Sequence, residues 1–372
     1  MRSIDVLIVG GGQAGLATAY HLSQNNISFL IVEKHQRLGD NWRQRYDSLV
    51  LFATRRYSHI PGLKMNGNQA GYPGKDEVGD YLEEYASHFK FPLTLGSEIT
   101  NVDKRGGVYR ATYNDSKGNA QEVSCKAVVI ATGGFQKPNL LHCASNLSDN
   151  VSQFTAESYR RPSQLPAGPV LVVGDGATGR QVAKELSRSH KVVLATGSRR
   201  PVKPQQIFGK DYFWWLDKLG FLKATKNSWL GKYMQSKQPF PGRKLGLNHL
   251  KQDGVQIENK VEAAVVDKVY FEGGKMAQIK SVIWAIGYHC DYSWLKLTGI
   301  LGERGELIEE RGVSNVEGGL YCIGKPWQWT RGSATLTGVG DDAKYIVDNI
   351  CDYLADSEEL EVSFDEMEPN PA

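Results

Sequence analysis

The chain carries the same local plan twice: a β-branched run, a loop spaced G-x-G-x-x-G, a helical stretch and a second β-branched run. The first copy is IDVLIVGGGQAGLATAYHLSQNNISFLIVEK, with Gly10, Gly12 and Gly15 at the spaced positions. The second is PVLVVGDGATGRQVAKELSRSHKVVLATGSRRP, with Gly174, Gly176 and Gly179. In such a loop one glycine makes the tight turn, one lets backbone approach a pyrophosphate, and one lets the helix pack on the strand. The free N–H groups of the helix start then face the phosphates. Gln13 and Ala14 open that helix in the first copy, Ala177 and Thr178 in the second. A strand that feeds a helix and then a parallel strand demands an open sheet with helices on its faces. Two such units predict an α/β chain with two Rossmann-like dinucleotide-binding domains.

The two copies end differently. In the first, Glu33 closes the second strand and Lys34 follows. An acid at about this offset accepts hydrogen bonds from a ribose diol, which suits FAD or NAD. In the second, the strand Lys191 to Thr196 runs into Gly197, Ser198, Arg199 and Arg200. With no carboxylate and two guanidinium groups, that end suits a 2′-phosphate, and the second ligand is expected to be NADPH in preference to NADH. The bland alternative is a solvated turn before Pro201.

A further echo supports duplication. KAVVIATGGF (126–135) and KSVIWAIGYH (280–289) are buried-strand runs that end in glycine turns, each more than a hundred residues after its own fingerprint. Each is expected to return the chain to its own sheet. A helix near Asp76 to Phe89 and a meander around YNDSKGN fill the first interval. The expected organisation is an FAD-binding domain over 1–163, an inserted NADPH-binding domain over 164–287, and completion of the first domain over 288–372 with a short acidic tail.

At 372 residues the chain has room for these cores, and a formal net charge of +3 is too mild to indicate nucleic acid. Five cysteines, at 125, 143, 290, 322 and 351, show neither C-x-x-C nor metal-ligand spacing, so no metal is expected. They fit a reducing, cytoplasmic setting. The apolar run Val6 to Val9 falls far short of the roughly 20 residues of a spanning helix, so no stable membrane insertion is expected. One FAD and one NADPH site together predict hydride delivery from nicotinamide to flavin. The flavin's acceptor stays open among molecular oxygen, a quinone and a protein partner. A redox pair of the usual local spacing is missing, and oxygen needs no protein redox centre.

Several further stretches resemble the flavin-containing monooxygenase family, in particular its small bacterial members and the plant auxin-forming branch. They are LGDNWRQRYDSLVLFATRRYSHIPG (38–62), YPGKDEVGDYLEEYA (72–86), SYRRP before the second fingerprint, and GLYCIGKPWQWTRGSATLTGVGDDA (319–343). The resemblance spans nearly the whole chain. It implies FAD contacts at Gly39, Trp42, Arg43, Thr132, Gly133 and Gly324, and a helix N-terminus after Thr337 and Gly338 near the flavin ring. It also implies reduction of FAD by NADPH, addition of oxygen at flavin C4a, and transfer of one oxygen to a small sulfide, amine, indole or ketone. An oxidase or reductase without oxygenation, and a flavin-bound redox sensor, are the alternatives. Substrate and O2 are then the partners, and a homodimer is left open.

Two departures stand out. The signature F-x-G-x-x-x-H-x-x-x-Y falls on Asp149, Val151, Thr155 and Tyr159, so three of four positions are changed. Where many members carry an asparagine, the chain reads Leu51-Phe52-Ala53-Thr54; Phe52 occupies the flavin-site position, and no acid–base residue is assigned. The aromatic and basic stretch 208–240 is expected to pack Phe213, Trp214, Leu216 and Leu219 onto its own domain. Trp327, Gln328 and Trp329 divide between packing and substrate contact, and His59 is the one histidine singled out.

Overall fold

A computed structural model describes residues 2–197 and 200–365. The chain begins β1 (Arg2–Val9), α1 (Gln13–Gln24), β2 (Phe29–Val32), α2 (Asp40–Arg43) and α3 (Lys75–Phe89). It continues β3 (Leu93–Thr94), β4 (Glu98–Arg105), β5 (Val108–Asn114), β6 (Ala120–Ile130), β7 (Ser152–Thr155) and β8 (Val170–Val173). Then come α4 (Ala177–Leu186), β9 (Val192–Ala195), α5 (Tyr212–Lys218), α6 (Trp229–Lys237), α7 (Leu247–Gln252), β10 (Gln256–Glu258) and β11 (Ser281–Trp284). Towards the C-terminus lie β12 (Leu320–Cys322) and α8 (Val339–Asp365).

Two parallel five-stranded arrangements of one pattern emerge. The first is β3-β2-β1-β6-β12, extended by an antiparallel meander of β4 and β5 onto β6. The second is β10-β9-β8-β11-β7. Both return runs behave as expected: Val9 lies beside Ile130 in the first sheet, and Val173 beside Trp284 in the second. The central strands FLIV, VLVV and VVLA are buried along their whole length, as strands covered on both faces must be. In the first unit α1 packs Leu16, Ala19 and Leu22 against Val339, Ile346 and Ile350 of α8 and Tyr85 of α3. Each leucine or isoleucine buried in this way contributes about 1.5–3 kcal/mol. The meander covers the other face with Val102, Tyr109 and Ala111.

Two expectations need adjustment. β7 pairs with β11, so the second sheet takes its edge strand from 152–155, ahead of the expected boundary at 164. Only the first sheet is interrupted in sequence, its fifth strand β12 following the whole of the second sheet. The acidic C-terminal stretch is helical as far as Asp365, because α8 meets no proline and, after its first turn, no glycine before that point. Residues 366–372 lie outside the described residues.

Candidate cofactor and active site

The two glycine loops match in their close contacts. A side chain on Gly10 would meet the Ala131 carbonyl oxygen at 2.6 Å, and one on Gly174 the Ala285 oxygen at 2.4 Å. Gly15 and Gly179 would strike the carbonyl oxygens of Gly10 and Gly174 at 2.0 and 1.8 Å. Gly10 and Gly174 also adopt φ of 108° and 104°, a region other residues avoid. Among the described residues no side chain caps α1 or α4, which leaves their first N–H groups to phosphate oxygens. At Gly12 a side chain would meet nothing nearer than Asn41 Nδ2, at 3.9 Å. Both cradles therefore fit a pyrophosphate.

Around the first cradle the expected residues converge. Glu33 Oε2 accepts from the Gly11 N–H at 2.6 Å, and Oε1 accepts from the His35 N–H at 2.9 Å and pairs with His35 Nδ1. Burial opposes its charge, but these hydrogen bonds hold the carboxyl below its usual range. A carboxylate has about four acceptor positions, so one remains for a ribose hydroxyl. Lys34 beside it is exposed. Trp42 Nε1 donates to Gln13 Oε1 at 3.3 Å, Gln13 Nε2 donates to the Ala334 carbonyl at 3.5 Å, and Gly324 closes against Ala14. Thr337 and Gly338 directly precede α8. Gln136 Nε2 donates to Thr132 Oγ1 and the Gly133 carbonyl, and its Oε1 accepts from the Asp291 N–H, locking the two return loops together.

Arg43 has another task. Its five N–H donors go to the Leu38 carbonyl and the carboxylates of Asp40, Asp80 and Glu83. It clamps α2 to α3, and none of those donors is left for a cofactor. Gly39, at φ 78°, is required because any side chain would strike the backbone of Gly79 at 2.4 Å.

The second cradle contains a device that the glycine spacing does not signal. Asp175 stands between the first two glycines and is buried against Arg180, at 3.0 Å. Arg180 Nε donates to the Asp175 carbonyl, Nη1 to the Leu245 carbonyl and Nη2 to the Arg200 carbonyl. The Gly197 N–H points at Asp175 Oδ1, at 3.4 Å. The strand end and its arginine are thereby tied to the glycine loop. Arg200 Nη1 lies 3.4 Å from where a Gly176 side chain would stand, over the mouth of the cradle. Ser198 and Arg199 lie outside the described residues. An arginine directly after the third glycine was the available signal.

The 208–240 stretch does not stay on its own unit. Tyr212, Phe213 and Leu216 pack with Ala53 and Tyr57, and Phe52, Trp214 and Trp327 border the cluster; Leu219 is exposed. Thr225 bridges Thr330, the Lys226 N–H donates to Trp329, and the N–H groups of Arg331 and Gly332 donate to Ala224 and Leu222. The stretch docks there because the backbone at 329–332 takes its hydrogen-bond partners from 222–226. Phe52 packs on Phe240, ring centroids 5.9 Å apart. Gln328 is buried and donates to the Cys322 carbonyl, Trp329 lies under Arg311, and Trp327 alone of the three reaches the cluster. Thr155 caps a turn through the N–H groups of Glu157 and Ser158, and Tyr159 donates to Glu185. Of the altered signature positions, Thr155 thus holds local structure. The His59 ring makes a long contact with the Ile60 carbonyl, at 3.4 Å.

Residues 7–324 match the family described as pyridine nucleotide-disulphide oxidoreductase. The chain belongs to that family. It is a flavin-dependent oxidoreductase of the FAD- and NADPH-using kind, and flavin-containing monooxygenases are among its relatives, as the motifs implied. It is 45% identical over 351 residues to an uncharacterized oxidoreductase, CzcO-like, of Geobacillus kaustophilus, covering 94% of this chain and 99% of the relative. It is 40% identical over 344 residues to uncharacterized oxidoreductase CzcO of Bacillus subtilis, covering 92% and 98%. A probable indole-3-pyruvate monooxygenase of Arabidopsis thaliana, YUCCA9, is 26% identical over 385 residues, covering 92% and 88%. In fold, the chain matches a flavin-containing monooxygenase from Stenotrophomonas maltophilia with TM-score 0.79 at 21% identity, covering 95% and 100%. It matches a bacillithiol disulfide reductase from Bacillus cereus with TM-score 0.68 at 18% identity, covering 94% and 99%. Among the described residues no helix is long and apolar enough to cross a membrane.

Proposed function

We propose that this family member is an NADPH-dependent FAD monooxygenase acting on a small nucleophilic or ketone substrate. The observation that carries the reading is the sealed junction: the 208–240 stretch closes over Ala53, Tyr57 and Trp327 with aromatic rings, beside the segment leading to α8. A dry wall there suits chemistry that water would waste. A disulfide-reducing role has no C-x-x-C or C-x₄-C pair in this sequence to serve it, and burial pushes the thiols of Cys125 and Cys322 up to about 12.

FAD, when bound, supplies two-electron reduction by NADPH and activation of molecular oxygen. The Gly10–Gly15 loop and the start of α1 bind its pyrophosphate, Glu33 accepts from its ribose, and Trp42 and Gly324 hold its flank. The Thr337–Gly338 turn presents the start of α8, which favours negative charge on a neighbouring ring. The Gly174–Gly179 loop and Arg200 bind NADPH, with Ser198 and Arg199 assigned to the same phosphate from sequence. NADPH use and free thiols fit a cytoplasmic setting.

Phe52 favours a second reading, an oxidase or reductase without oxygenation, because it offers an apolar ring where relatives of the resembled family present an amide. Stopped-flow mixing of the NADPH-reduced holoprotein with oxygen separates the two. An absorbing species distinct from reduced and oxidised flavin, shortened in life by an added thioether, supports oxygenation. Direct return of oxidised flavin with stoichiometric hydrogen peroxide supports the second reading.

A further inference from the structure

Between the first unit's 48–52 segment and the outer face of α4 lies a cavity of ≈ 220 Å³. Pockets for drug-sized ligands run about 300–1,000 Å³, so an occupant here is small. One wall is apolar: Val50, Leu51, Phe52 and Leu245. The other is rich in donors. Lys184, Arg188 and Arg243 line it together with Gln181 and Gln205. The Tyr46 hydroxyl donates to Gln181 Oε1, which leaves the Gln181 amide nitrogen as its free group.

The opposing acceptor supply is thin. Glu185 is the one carboxylate on the wall, and its Oε2 already accepts from the Tyr159 hydroxyl at 2.7 Å. Lys184 donates to the carbonyls of Arg243 and Lys244, both at 3.3 Å. Arg188 and Arg243 stand at the solvent-exposed rim, and their side chains have no hydrogen-bond or ion-pair partner among the described residues. Burial, and then the nearby Lys244, Arg188 and Arg243, hold the Lys184 ammonium below its ordinary range despite Asp253. A cavity of donors with three cations facing an apolar wall lacks one component, an acceptor-only group with an apolar body.

We propose that this cavity is a binding site for a small organic oxyanion, a carboxylate or phosphate ester on a short apolar or aromatic body. Lys184, Arg188 and Arg243 hold the anion, and Leu51, Phe52 and Leu245 hold the body. The site is separate from the NADPH cradle: Arg180 and Arg200 face the glycine loop, whereas Gln181, Lys184 and Arg188 face the 48–52 segment. Because binding is read at equilibrium, the proposal stands or falls apart from oxygenation.

The test is isothermal titration of the FAD-loaded protein with benzoate, phenylacetate, hexanoate, phenyl phosphate and inorganic phosphate, each carboxylate beside its amide. At least one carboxylate or the phosphate ester should bind about tenfold more tightly than its uncharged match or than inorganic phosphate. Lys184→Met and Arg243→Gln should erase that preference while FAD content and NADPH affinity hold. Phe52→Ala should weaken the aromatic anions and leave inorganic phosphate unchanged. Equal binding of acids and amides, or no binding across the panel, overturns the proposal. So does competitive displacement by NADPH, which would make the cavity part of the coenzyme site. A preference that survives Lys184→Met and Arg243→Gln places the anion elsewhere and overturns it equally.

Discussion

The two fingerprints share a backbone and exchange a carboxylate. In the first, the acid stands at the strand end, where Glu33 receives the Gly11 N–H. In the second, the acid stands in the loop at the position of Gly11, where Asp175 faces the N–H of Gly197 at the strand end. The same link between loop and strand is made in both, with donor and acceptor sides reversed. Moving the acid clears negative charge from the strand end, and Arg180 neutralises what remains. On the proposed assignment the glycines bind a dinucleotide, while the placement of one carboxylate selects which ribose is tolerated.

The largest effect should come from removing the neutralising partner. Breaking a buried ion pair from one side costs about 3–5 kcal/mol, so Arg180→Met should lower urea stability of the second unit by that order. Adding Asp175→Asn to it should restore much of the loss, since no uncompensated charge is then buried. FAD content should be retained throughout, because the hydrogen bonds of Asp175 and Arg180 stay within the second unit. A loss below about 1 kcal/mol would mean that the pair is solvated and the proposed exchange of acids has no energetic content.

Next in size is the contact over Gly176. A guanidinium–phosphate pair contributes about 1.5–3 kcal/mol, so Arg200→Gln should raise the Michaelis constant for NADPH roughly ten- to a hundredfold. The value for NADH and the flavin reduction rate at saturation should barely change. Equal loss with both coenzymes would point to damage of the loop that Arg180 anchors. No loss with either would leave Arg200 facing solvent and shift coenzyme choice to other residues.

Both cradles are legible in the order of residues alone. Spaced glycines between β-branched runs announce themselves because the first and third of each loop, Gly10 and Gly15, Gly174 and Gly179, are required by a backbone clash, while the middle one leaves open space for the ligand. Return strands ending in glycine are legible because Gly133 and Gly287 take φ of 71° and 90°, a region other residues avoid. Roles that depend on which long side chains meet are not. Arg43 reads as a cofactor contact in a motif, yet it is surrounded by three carboxylates, two of them from α3 some forty positions away. The docking of 208–240 onto the first unit is equally hidden, because it rests on backbone groups at 329–332 that carry no residue-type signal. β7 is a strand of only four residues, too short to assign to one sheet or the other by pattern.

The smallest expected effect sharpens the comparison from the acid side. Glutamine at position 33 keeps an acceptor but loses charge, so Glu33→Gln should weaken FAD retention about fivefold, the difference between charged and neutral hydrogen bonds. The pH dependence carries a sign. Glu33 is held below the ordinary glutamate value of 4.5 in the folded chain, so its contribution is complete above that value and is lost as pH falls through the depressed folded one. FAD release followed on acidification should therefore be steeper in the parent than in Glu33→Gln, with the curves converging at the acid end. Parallel curves would mean that the Glu33 charge is not linked to holding the cofactor. The carboxylate exchanged between the two fingerprints would then serve the fold of the loop alone.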